Sequence, residues 1–92
     1  MDPIATQMYE IVERVVTGLE KKEYKRVESM HLYQDRIVTA KYDFPLHEIL
    51  DISYRKMGDQ GGLLYLHTNS GLYSYLVASS PMEFIRVYRG YG

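Results

Sequence analysis

The chain contains no cysteine, no tryptophan and only two phenylalanines among its 92 residues. Without thiols there are no disulfides, no thiolate metal sites and no cysteine nucleophile, a pattern that fits a reducing compartment. An excess of either charge is also missing: 11 Lys and Arg against 12 Asp and Glu leave a formal net charge of −1. A nucleic-acid binder needs a basic surplus to meet phosphates, so that class is set aside. No apolar run approaches the roughly 18 residues of a membrane span. The opening Met1-Asp2-Pro3 lacks the basic stretch that begins a signal peptide, and a cytoplasmic location is the expectation.

What is present is an ordinary globular composition, 46% hydrophobic and 25% charged. A chain of 92 residues can bury only about 60–65% of its unfolded surface, so residues 1–92 are read as one domain. Ten tyrosines stand out. Their rings pack while their hydroxyls stay wet, which suits half-buried sheet faces and interfaces.

The most organised stretch runs from Leu63 to Tyr88. Leu63–Thr68 and Leu72–Val77 read as two strands joined by a three-residue loop, Asn69-Ser70-Gly71, with Gly71 supplying a positive φ. Ser80-Pro81-Met82-Glu83 then places Ser at N-cap, Pro at N1 and Glu at N3 of a helix, and Gly90 stands where that helix would end. Met82, Phe84, Ile85 and Tyr88 form its packing side, with Arg86 and Arg89 in water.

Upstream, Ile4, Met8, Ile11, Val12, Val15, Val16 and Leu19 recur at spacings of three and four. That predicts an amphipathic helix over about residues 8–19, within an N-terminal segment 1–22, capped by Asp2-Pro3. The β-branched run Val15-Val16-Thr17 leaves an edge strand as the alternative. Glu20–Arg26 reads as a charged loop entering a strand over Tyr24–Tyr33, with Tyr24, Met30 and Leu32 on one face. Gln34-Asp35 turns the chain into a strand over Arg36–Tyr42, and Pro45 interrupts. Ile49–Arg55 alternates, with Leu50, Ile52 and Tyr54 on one side and Asp51, Ser53 and Arg55 on the other. Met57–Gly62 is a glycine-rich connection. Short connections imply antiparallel pairing, so residues 24–89 form an antiparallel sheet plus a C-terminal helix, an α+β fold.

Three strings carry a resemblance: Leu32-Tyr-Gln-Asp-Arg-Ile-Val, then Phe44-Pro-Leu-His-Glu-Ile-Leu-Asp-Ile-Ser-Tyr, then Leu64-Tyr-Leu-His-Thr-Asn-Ser-Gly. Followed by a helix that starts on proline, they resemble bacterial pleckstrin-homology-like domains over roughly residues 28 to 89. The resemblance implies a strongly bent antiparallel sheet, or partly open barrel, stopped at one end by the C-terminal capping helix. It also implies a strand where the periodicity reads a helix, near Met8–Leu19. In eukaryotic pleckstrin-homology domains a basic loop between the first strands grips inositol phosphates. Here Lys21, Lys22, Lys25 and Arg26 occupy that place, diluted by Glu20 and Glu23.

Chemistry-bearing constellations are sparse. His31, His47 and His67 lack the spacing and acidic neighbours of a metal site, so no metal is expected. Ser53, His67 and Asp51 make a triad only on paper, without a Gly-x-Ser-x-Gly elbow, and no catalytic role is expected. The glycines at 58–62 precede no phosphate-binding lysine, so no cofactor is expected either. Tyr65, Tyr73 and Tyr75 are the candidate partner interface, near a sheet edge that could accept a strand from a partner or a second copy. The expectation is a non-catalytic binding domain for a protein or peptide. The alternative is weak recognition of an anionic lipid head group or small phosphate through residues 21–26.

Overall fold

A computed structural model describes residues 2–59 and 61–91 of the chain. Its strands are β1 (Ala5–Thr17), β2 (Glu20–Leu32), β3 (Arg36–Val38), β4 (Asp43–Pro45), β5 (Ile49–Lys56), β6 (Gly62–Thr68) and β7 (Gly71–Val77), followed by helix α1 (Met82–Tyr91). They form one antiparallel sheet in the order β4-β3-β2-β1-β7-β6-β5. Among the described residues no helix is long and apolar enough to cross a membrane.

That order forces the sheet to bend. Flat, β4 and β7 would lie four strand spacings apart, about 19 Å. Yet the rings of Phe44 in β4 and Tyr73 in β7 have centroids 5.0 Å apart. The two sheet edges, β4 and β5, are joined by a single 3₁₀ turn, Leu46–Glu48. Three residues reach about 10 Å, against about 29 Å across a flat sheet of this width. The sheet therefore curls until its edges approach, and it remains unclosed, because no ladder joins β4 to β5 among the described residues.

The helix plugs the curl. Phe84 and Ile85 are each 2% exposed and pack into a core with Tyr9, Met30, Leu32, Ile37, Ile52, Leu64 and Leu66. Ser80 caps the helix by accepting from the Met82 amide at 3.4 Å. Glu83 does not close a capping box; it pairs forward with Arg86, whose Nε donates at 3.0 Å. Gly90 lies inside the helix and does not terminate it in a left-handed turn. Tyr88 reaches the Ile49 carbonyl at 3.4 Å, tying α1 to the start of β5.

The N-terminal segment is a strand. β1 pairs with β2 residue for residue from Ala5↔Leu32 to Thr17↔Glu20, and Glu20–Arg26 is strand where a loop was expected. The helical spacing of Ile4 to Leu19 misleads because a helix must bury one face, and here Val12, Val15, Val16 and Leu19 are all exposed. β7 flanks β1 only at Glu10↔Leu76, and past that pair β1 is an edge, as the alternative reading had it. Gly18, with φ 58°, opens the two-residue turn that joins β1 to β2, where any side chain would be strained. A second departure concerns β5. The register shifts between Ile49 and Asp51, so Ile49 and Ile52 both face inward and Leu50 is pushed out, 67% exposed.

Candidate binding cleft

β1 holds β2 along its whole length but holds β7 at one pair, Glu10↔Leu76. Beyond that point no ladder joins β1 to β7 among the described residues, while aromatic side chains of β7 pack against the inner face. The Tyr75 ring sits edge-on to Tyr9 at 4.9 Å, and the Tyr73 ring lies 5.2 Å from Tyr42. The fork leaves a cleft of about 220 Å³ lined by Tyr9, Ile11, Thr39, Lys41, Tyr42 and Tyr75. Small-molecule sites usually start at about 300 Å³, so this volume suits one inserted side chain better than a cofactor.

The wall opposite the fork is the turn between β3 and β4. Thr39 builds it: its hydroxyl accepts from the Tyr42 amide at 3.0 Å, and its own amide donates to the Tyr42 carbonyl at 2.8 Å. Tyr9 braces the same turn, its hydroxyl accepting from the Ala40 amide at 3.0 Å. The Tyr75 hydroxyl, by contrast, is sealed from solvent beside the Thr39 hydroxyl, without the geometry of a hydrogen bond to it or to any other described residue. Burial pushes its phenol up to about 12, the neighbouring Thr39 hydroxyl offsetting part of that rise.

The three tyrosines read from the sequence as one interface do not share a face. Tyr65 is paired with Ser74, whereas Tyr73 pairs with Leu66 and Tyr75 with Leu64. Tyr73 and Tyr75 therefore point inward with the core leucines, and Tyr65 points outward beside His67, their rings 6.3 Å apart. Only Tyr75 of the three lines the cleft. Tyr9, Thr39, Lys41 and Tyr42 went unread. The alternation Gln7, Tyr9, Ile11 carried the signal for the first of them, and the helical periodicity masked it.

The basic set is also divided. Along β2, Lys21 and Lys25 lie on one face of the β1–β2 ribbon and Lys22 and Arg26 on the other. Lys22 pairs with Glu20 at 3.9 Å, and Arg26 with Glu13 at 3.4 Å and Glu28 at 3.0 Å. Lys21 and Lys22 line one pocket together with Arg14 and Glu23, whereas Lys25 and Arg26 lie outside its lining, so the four cations are brought together only in part.

Two histidines are held by hydroxyls. His31 lies between Thr6 (Nδ1, 3.1 Å) and Ser29 (Nε2, 2.9 Å). His67 Nε2 meets Ser53 Oγ at 2.8 Å, and Asp51 stands opposite His67 in the ladder. The paper triad is thus brought together in part. Among the described residues no hydrogen bond joins Asp51 to the imidazole, and its carboxylate faces Arg89 at 4.0 Å. The Ser53–His67 pair sits on a sheet face outside the cleft residues, and no cluster of three metal-binding side chains occurs among the described residues.

Comparison with known proteins finds no family model that matches the chain and no curated sequence that matches it.

Proposed function

We propose that this chain is a non-catalytic binding domain of the pleckstrin-homology-like kind, taking a protein or peptide partner at the fork between β1 and β7. The observation that carries the reading is the single Glu10↔Leu76 pair: past it, two strands expose backbone beside an aromatic cleft. An extended peptide can pair with such an edge through its main chain and gain selectivity by inserting one side chain. Tyr9, Tyr42 and Tyr75 offer aromatic surface to that side chain, and Lys41 and Glu10 add one charge of each sign to the lining. The strand order, the bent unclosed sheet and the plugging helix support the family likeness.

The test is a displayed peptide library selected on the purified chain, with selected peptides measured against four variants. Ile11→Trp, which fills the mouth, and Tyr42→Ala, which removes a wall, should each weaken binding by tenfold or more. Lys22→Glu and Arg26→Glu should leave it within about twofold, since exposed charges contribute little. Peptides indifferent to the first pair, or retention of the chain on phosphatidylserine vesicles lost with the second pair, would transfer the role to anion recognition.

A further inference from the structure

β1 continues past its last contact with the body. From Ile11 to Thr17 it has β2 on one side and no strand on the other among the described residues. β2 is likewise open before His31, where β3 begins to pair. The two open edges differ in chemistry. Glu20-Lys-Lys-Glu-Tyr-Lys-Arg26 carries the lysines with which natural sheets keep strands apart. Ile11-Val-Glu-Arg-Val-Val-Thr17 carries four β-branched aliphatic residues and no lysine, with Val12 37% and Val16 64% exposed. A ribbon of two strands is marginal by itself and gains from a third neighbour.

We propose that Ile11–Thr17 pairs antiparallel with the same segment of a second copy of this chain, about a two-fold axis at Arg14. The product is a continuous β2-β1-β1-β2 sheet across the two molecules. Two-fold pairing requires a strand that complements itself, and the segment does so in this register. Val12 falls opposite Val16 of the second copy, and Ile11 opposite Thr17. The two Arg14 side chains meet at the axis, but each already has Glu23 directly across in its own ribbon. The central row then reads Glu23, Arg14, Arg14, Glu23 and is neutral. Ile11 and Thr17 likewise sit in a row bounded by Arg26 at one end and Glu20 at the other. Seven residues from each copy bury far less than the roughly 1,200 Å² of a standard interface, so the dimer is weak and depends on concentration. Ile11 also lines the cleft, so a second copy and the proposed peptide would compete for the start of this edge; the dimer is read from mass alone, and its failure leaves peptide binding untouched.

Sedimentation equilibrium from about 10 μM to 1 mM, the range of weak contacts, tests it. The average mass should climb from one chain towards two. In V12E/V16E the new carboxylates oppose each other between copies yet face Lys25 and Lys21 within their own ribbon. That variant should keep its melting temperature and stay one chain throughout. In V12E/V16K the opposed positions carry opposite charges, and dimerisation should return to within about threefold of the parent. A parent chain that stays single leaves the edge to a foreign strand and overturns the proposal. A dimer indifferent to V12E/V16E places the contact elsewhere, and failure of V12E/V16K to restore it overturns the register.

Discussion

Replacing Tyr75 by Phe should stabilise the protein, an unusual outcome for a change inside a packed aromatic cluster. The ring makes the contacts, edge-on to Tyr9 at 4.9 Å, and the hydroxyl makes no hydrogen bond. A sealed polar group without a partner costs about 1–3 kcal/mol, and removing it should recover about 0.5–1.5 kcal/mol. Tyr9→Phe, one ring away, should do the opposite. It strips the acceptor from the Ala40 amide and should cost about 1 kcal/mol. Urea unfolding with unchanged slope measures both, and each kcal/mol corresponds to about 4–8 °C in Tm for a domain of this size. The same pair gives an alkaline signature. Tyr75 is lifted to about 12 from its ordinary 10.0, so the folded state holds its proton more tightly. The resulting stability is complete below pH 10 and fades as pH rises from about 10 to 12. After allowing for the half-buried ring this limb is about 1 kcal/mol, and it should shrink in Tyr75→Phe. Part of the limb should remain, because burial also raises Tyr88. A Tyr75→Phe protein that loses 1 kcal/mol or more, with its alkaline limb intact, would refute the reasoning.

Phe84→Ala should cost about 3–5 kcal/mol in the same assay, as expected for a ring 2% exposed, whereas Met82→Ala, 54% exposed, should cost under about 1 kcal/mol. Gly61→Ala should lower Tm by about 10 °C or more, because the residue sits at φ 75° and a Cβ there meets the Val77 carbonyl oxygen. Leu50→Thr should leave stability within about 0.5 kcal/mol, since the bulge already puts that side chain in water.

The C-terminal half was legible because its signals are local. Alternating apolar residues in β6, the Asn69-Ser70 turn and the Ser80-Pro81 start fix neighbours within a few residues of each other. Even there one residue mattered. Reading Asn69-Ser70-Gly71 as a three-residue loop sets Tyr65 against Tyr75. The turn actually holds two residues, with Thr68 paired to Gly71, and Tyr65 slips to Ser74. A slip of one flips every side chain to the other face, which is why the tyrosine interface dissolved. The cleft was illegible for a different reason. Tyr9, the Thr39–Tyr42 turn and Tyr75 come from three places along the chain and meet only because the sheet bends. β1 was misread because its helix-like spacing is a coincidence of exposed valines, and the pairing that decides it lies as far away as Leu32.

Amide chemical shifts, followed while a selected peptide is titrated into the labelled chain, address the cleft itself. Changes should concentrate at Ile11, at Thr39–Tyr42 and at Ser74 and Tyr75, the residues around the fork. Changes gathered instead at Lys21–Arg26, or on the outer face around Tyr65 and His67 with the fork silent, would contradict the placement of the site.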